Sequence, residues 1–222
     1  MTEAIQTLND ADPKAAPKFR RRKEARPDEI LDAALGLFVE QGFAKTRVED
    51  IAKRAGVSKG AVYLYFPSKD ALIEALVDRA LGGMADEIGA ALRAYNGHPR
   101  ALLERFAGVV RHHLEQQDVI AVPKLIIHEA PSQPQLARIY GERVINKVMP
   151  DVIAMFTRAM DAGHIRRLDP EMLVRCMLGP IFLHIILCDI FGIVPERGVS
   201  LDLLFETPLS VFFAGIEPVK EA

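Results

Sequence analysis

Lys59, Gly60, Ala61, Tyr63, Tyr65 and Lys69 place two ammonium groups, two phenols and two residues without bulk along one short stretch of a 222-residue chain. Such residues suit the surface of a DNA double helix. An ammonium donates to guanine O6 and N7 or to a phosphate, a small neighbour permits close approach, and an alanine methyl meets a thymine methyl. Phenol hydroxyls at the rim donate to phosphate oxygens and fix register. Lys69 opens a predicted helix, where its charge and the free N–H groups together suit a phosphate. Thr46 and Arg47 hold the same relation to an earlier helix. Plainer readings stand beside these, with residues 59–61 as a solvated helix start and the tyrosines as core.

These groups act together only if the backbone holds them on one short helix, and the spacing predicts that helix. Thr46 and Glu49 form an S/T-x-x-E capping box, which starts a helix at Arg47. Val48, Ile51, Ala52 and Ala55 give it one apolar face. Gly56 supplies the left-handed residue that ends it, and Val57 turns back into the core. Ser58 caps a second helix through Lys59, Gly60, Ala61, Val62, Tyr63 and Leu64. Val62, Leu64 and Phe66 read as its packing residues. The pair is a helix-turn-helix, whose second helix presents its first residues to base edges in a major groove.

Upstream, Pro27 followed by Asp28 and Glu29 predicts another helix start. Ile30, Leu31, Ala34, Leu37 and Phe38 form its apolar face, and Gly42 ends it. Residues 1–24 read as a disordered arm. Its closing basic run, 20–23, is either a solvated tail or an arm reaching a minor groove or phosphates. Downstream, helices are predicted from Ser68 toward Tyr95, from Pro99 to Gln117 and from Asp118 to Glu129. Others run from the Pro131–Pro134 turn to Asp161 with a bend near Pro150, from Pro170 to Phe191 with a kink at Gly179-Pro180, and from Ser200 to Ala214. No segment alternates with period two. The expected fold is all-α, with a helix-turn-helix domain at 25–72 and an all-helical domain at 73–222.

The net charge of −2 conceals a division. Residues 14–69 carry 13 Lys+Arg against 7 Asp+Glu, whereas residues 70–222 carry 15 against 20. The basic surplus surrounds the helix-turn-helix, where phosphate neutralisation and counterion release would use it. The most apolar segment, 172–194, contains Arg175, His184 and Asp189, and a charge at the centre of a bilayer costs roughly 2.5–3.5 kcal/mol. A buried helix rather than a membrane span is expected. The polar N-terminus lacks the apolar core of a signal peptide, and Cys176 and Cys188 sit among apolar residues as buried thiols do. Both point to the cytoplasm.

Other chemistry has weaker support. His112, His113 and His128 suggest metal or catalytic work, but His113 follows Phe106 and Val110 on one helical stripe and reads as an interior residue. His184 and Cys188 stand four apart on one helix, a spacing that can hold a metal, yet two ligands make no site. There is no Ser-His-Asp pattern and no phosphate loop. No catalytic residue, metal or cofactor is assigned.

With the helix before it, the 46–69 segment resembles the N-terminal domain of TetR-family transcriptional regulators. The resemblance rests on Ile30-Leu31-Asp32-Ala33-Ala34, Leu37-Phe38, Gly42-Phe43, Thr46, Ile51-Ala52, Ala55-Gly56-Val57-Ser58, Tyr63, Tyr65-Phe66 and Lys69-Asp70-Ala71-Leu72. It implies a homodimer on a palindromic DNA operator, most often a repressor released by a small apolar or amphipathic effector. The implied effector pocket falls to Phe106, Val110, His113, Ile127, Met155, Phe156 and Met177, which a packed core would equally use. The implied dimer interface, a four-helix bundle of the last two helices, falls to Leu183, Leu187, Leu204 and Phe212. A DNA-binding regulator without a small-molecule effector, controlled by a protein partner, is the alternative.

Overall fold

The computed structural model describes residues 22–114, 117–198 and 200–218, with side chains at 27–109, 120–188, 190–198, 200 and 202–218. Every regular element among the described residues is helical. Helix α1 runs Arg22–Gln41, α2 Val48–Arg54, α3 Lys59–Tyr65 and α4 Lys69–Val77. A π-helical turn, Asp78–Gly82, leads into α5, Gly83–Ala94. Then come α6 (Pro99–Leu114), α7 (Gln117–Glu129) and α8 (Pro134–Tyr140), a second π turn (Gly141–Ile145) and α9 (Asn146–Asp161). Helix α10 (Pro170–Ile185) ends in a third π turn (Ile186–Ile190), and α11 spans Leu201–Ile216. The architecture is an N-terminal helix-turn-helix domain followed by a C-terminal helical domain.

Local chemistry sets most boundaries. Ser58, Ser68, Asp169 and Ser200 each accept a hydrogen bond from the backbone N–H three residues on, as N-caps do. After α2 the Val57 N–H donates to Ala52 and the Gly56 N–H to Lys53, with Gly56 at φ +66°. That pair of bonds is a Schellman motif and permits the tight turn into α3.

The structure corrects several expectations. Helix α1 begins at Arg22, with Pro27 inside it. The run 20–23 lies outside the described side chains. Thr46 forms no capping box. Helix α2 starts at Val48 with Arg47 at the cap position and no side-chain cap. The Thr46 hydroxyl instead lies near the Leu37 carbonyl at 3.3 Å and donates to that of Gly42 at 2.8 Å, and the residue is 2% exposed. It ties the end of α1 to the start of α2. Between Pro134 and Asp161 the irregularity falls at Gly141–Ile145, ahead of Pro150. The irregular turn in the 170–191 segment falls at Ile186–Ile190, beyond Gly179-Pro180.

Two cores organise the chain. The first joins Ile30, Ala34 and Phe38 of α1 to Ile51 of α2, Val62 of α3 and Leu72, Ile73 and Leu76 of α4. Val122 and Ile126 of α7 and Leu136 of α8 close it from the far side of the chain, so packing continues past residue 72 without a break. The second gathers Leu92, Leu102, Val152, Met155, Phe156, Leu173 and Phe213. Arg143, in the second π turn, donates to Glu74 of α4 at 2.5 Å and to Asp78 of the first π turn at 2.6 Å. That fork fastens the helix leaving the first core to the body of the protein.

Only 11% of the apolar Pro170–Cys188 stretch is buried, although it is long and apolar enough to cross a membrane by length and composition. The expectation of a buried helix therefore fails within one chain, because α10 has neighbours on only part of its circumference.

The Thr46 hydroxyl generates a test. Thr46→Val keeps the shape but replaces a buried hydroxyl and removes the donor to the part-buried Gly42 carbonyl, so it should destabilise the fold by about 1–3 kcal/mol in urea unfolding. An unchanged midpoint would remove the hydroxyl from the account.

Candidate nucleic-acid interface

Helix α3 has only seven residues, and its two faces differ sharply. Val62 is fully buried, and Phe66 just beyond the helix is buried beside it. The opposite face carries Lys59, Gly60 and Tyr63, all exposed, with Ala61 half-buried between them. Leu64, expected to pack, is 78% exposed. Its position next to Tyr63 turns it away from the core side that Val62 and Phe66 occupy.

The Lys59 ammonium pairs with the Glu49 carboxylate of α2 and lies 5.8 Å from the centre of the Tyr63 ring. The hydrogen bond between them holds the Glu49 carboxyl below its usual range and raises Lys59. Both groups face solvent, so the pair is weak and readily exchanged for another partner. Arg47 is exposed at the head of α2. Tyr65 is half-buried, its ring 6.5 Å from Phe66, and packs on the first core.

Lys69 is placed otherwise than expected. Its ammonium donates to the carbonyls of Phe43 at 2.6 Å, Thr46 at 3.2 Å and Ala44 at 3.3 Å. It also lies 4.2 Å from the centre of the Phe43 ring. Burial pushes its pKa down. With three N–H bonds directed at the α1–α2 turn, Lys69 clamps that turn to the head of α4 rather than reaching outward to phosphate. Thr46 is likewise taken up internally. The outward-facing set is therefore Arg47, Lys59, Gly60 and Tyr63, with Ala61 and Tyr65 at its margin.

Phe106, Ile127, Met155, Phe156 and Met177, the expected effector residues whose side chains are described, do not line the groove between α1 and α7. Phe156 is fully buried and Met155 nearly so, both within the second core, with the Phe212 ring 5.9 Å from Phe156. Phe106 and Met177 pack against that core and Ile127 is half-buried. The side chains of Val110, His112 and His113 lie outside the described residues. The groove, of about 900 Å³, lies elsewhere, between the end of α1, helix α7 and the end of α10, lined among others by Val39, Gly42, Ala121, Leu125, Glu129 and Ile190. Sequence reasoning missed it because it lies between helices far apart in the chain. The side-chain carboxylate of Glu129 at a helix C-terminus, opposite its dipole preference, was the available signal.

The dimer assignments are likewise revised. Leu204 is buried and Phe212 half-buried against Phe156 and Phe213, so packing within the chain takes up much of both. Leu183 is exposed and Leu187 half-buried. On α11 the outward apolar positions are Leu203 and Val211. His184 Nδ1 lies 3.5 Å from Cys188 Sγ, and among the described residues no three potential ligands gather around a metal position.

A helical chain whose short third helix is buried on one side and presents Lys59, Gly60 and Tyr63 on the other has the form of a helix-turn-helix regulator, and comparison with known proteins agrees. Residues 30–76 match the model of the bacterial regulatory proteins of the tetR family, and residues 95–189 match the tetracyclin repressor-like C-terminal domain. This chain belongs to the TetR family of transcriptional regulators. It is 38% identical over 68 residues to the HTH-type transcriptional regulator YvdT of Bacillus subtilis (strain 168), covering 31% of this chain and 35% of that protein. It is 37% identical over 78 residues to the nucleoid occlusion factor SlmA of Haemophilus ducreyi, covering 35% and 39%. The matches thus span about a third of the length of these curated relatives. A solved complex of SmeT, the repressor of a Stenotrophomonas maltophilia efflux pump, with triclosan shares the fold. It has a TM-score of 0.69 and 22% identity over 88% of this chain and 93% of that one.

The Lys69 clamp can be checked directly. Lys69→Met should lower stability by about 1–3 kcal/mol while leaving the salt dependence of DNA binding unchanged. A salt slope reduced by about one unit at unchanged stability would return Lys69 to the phosphate interface.

Proposed function

We propose that this protein is a dimeric, ligand-responsive DNA-binding regulator that represses from a palindromic operator. The observation that carries the reading is the uncovered face of α3, where Lys59, Gly60 and Tyr63 stand outward while Val62 anchors the other side. In a two-fold dimer, two α3 helices enter successive major grooves about 34–36 Å apart. Lys59 exchanges Glu49 for a guanine edge, Gly60 and Ala61 admit close approach, and Tyr63, Tyr65 and Arg47 contact the backbone. The reading head is 25–72 and the effector-binding and dimerisation region 73–222, although their packing is shared. Such a protein works where the chromosome is, in the cytoplasm.

Dimerisation is supported by the apolar surface of α10 and α11. Phe182, Leu183, Leu203 and Val211 are exposed on a single chain, Val211 by 68%, and two copies of the helix pair would cover them as a four-helix bundle. Effector control requires only that a ligand bind one subunit arrangement better than the other. The fold shared with SmeT, solved with triclosan, supports the effector. The similarity to SlmA, named as a nucleoid occlusion factor, supports a second reading in which the DNA-bound protein is governed by a protein partner instead.

Selection of bound sequences from a random DNA pool tests the main reading. A palindromic consensus is expected, and Lys59→Gln should change the base preferred at one position per half-site; an unaltered consensus would show that Lys59 reads no base. Val211→Glu should give monomers in sedimentation with at least tenfold weaker operator binding, and a stable dimer would contradict the interface.

A further inference from the structure

We infer that the groove between α1, α7 and the end of α10 is a binding site for an organic cation with an apolar body, and that Glu129 is its counter-ion. For its effect on DNA the inference rests on the ligand-responsive reading above; for binding it stands alone.

The groove has the size of a small-molecule site, about 900 Å³, within the usual range for such pockets. Its walls are largely apolar, with Phe38, Val39, Ala44, Ile120, Leu125 and Ile185 among them. Its electrostatics are directional. Helix α1 ends at Gln41, α7 at Glu129 and the π turn after α10 at Ile190, and residues at all three ends line the groove. Each helix C-terminus carries about half a negative charge, which favours a cation within its last turn.

Glu129 adds a full negative charge to that region. Its side chain is only 12% exposed, and its Oε1 lies 2.9 Å from where a Cβ on Gly42 would stand. Gly42 has φ +86°, so the close approach of the carboxylate to the α1–α2 turn depends on glycine there. The His128 Nδ1 lies 3.6 Å from the Glu129 carboxylate, with the His128 side chain largely in solvent. Lys69 feels the Glu129 charge but directs its N–H groups at the turn carbonyls. The remaining charges lining the groove are otherwise placed. Glu40 is matched by Arg54, Lys45 is exposed, and Lys124 has an interaction of its own. Glu129 is therefore a little-solvated negative charge at a helix end that disfavours it, which a cation would relieve.

The position also supplies a route to DNA. One wall is the end of α1 and the turn that Thr46 and Lys69 bind to α2 and α4, so an occupant pressing on that wall acts directly on the frame holding α3.

The chain contains no tryptophan, so Val39→Trp, on the groove wall, provides a sole indole reporter. Tetraphenylphosphonium and tetraphenylborate have the same shape and opposite charge. Titrated into the full-length protein, the cation should quench the introduced indole saturably and bind at least tenfold more tightly than the anion. Glu129→Gln in the same background should weaken the cation at least tenfold. Ala121→Phe, which fills the groove without altering charge, should abolish binding while leaving the helical circular dichroism unchanged. Equal affinity for the two ions, or undiminished cation binding in Glu129→Gln with a native spectrum, would overturn the site. If Glu129→Gln fails to fold, retained cation binding in Ala121→Phe overturns it instead. Saturating cation should also weaken binding to the selected operator at least fivefold. Binding with unchanged operator affinity would overturn the regulatory role of the groove and leave DNA binding itself intact, whereas failure to bind any selected DNA would overturn the regulator reading and not the site.

Discussion

The position of α3 depends on a knot of hydrogen bonds that lies outside α3. A helix of seven residues with Val62 as its fully buried side chain has little packing of its own to hold it, and isolated helices of that length are unstable in water. Its frame is the α1–α2 turn. There the Thr46 hydroxyl binds the end of α1, the Lys69 ammonium binds three turn carbonyls from the head of α4, and Gly42 takes the left-handed conformation that brings them together. The Schellman turn at Gly56 then passes that fixed geometry to α3 through α2. Because these groups are directed inward, the outer face of α3 is left free for Lys59 and Tyr63.

The same knot links the reading head to the rest of the protein. Glu129 of α7 stands against Gly42, and Val122 and Ile126 of α7 complete the first core. A second tie lies at the other end of α4, where the Arg143 fork joins Glu74 and Asp78 and two π turns face each other. π turns recur at functional sites, and here they stand where a rigid helix leaves one core for the next. Helix α4 is thus held at both ends by charged hydrogen bonds.

Exposed apolar side chains occur in both domains, Leu64 and Val39 in the first and Leu183, Leu203 and Val211 in the second. Those on α10 and α11 form the surface that two copies of the chain would cover in the proposed dimer. Arg47 and Lys59 are exposed at the heads of α2 and α3, whereas the basic surplus of residues 14–69 is carried by residues 14–26, ahead of the first described side chain.

Helix starts at Ser58, Ser68, Asp169 and Ser200 and the turn at Gly56 were legible in the sequence, because each is made by groups within five residues of one another. The helix-turn-helix and its division of charge followed from them. What only the tertiary structure decided were matters of partner. Thr46 satisfies the S/T-x-x-E pattern, yet carbonyls of the α1 end and its turn capture its hydroxyl; Lys69 stands at a helix start, yet it turns inward to carbonyls more than twenty residues away. Leu64, Phe156 and Leu204 are all apolar at helical spacing, but periodicity defines a face without saying what lies against it. The groove beside Glu129 belongs to three helix ends from distant parts of the chain. No local pattern encodes their meeting, because it arises from the packing of whole helices and not from the residues beside each one.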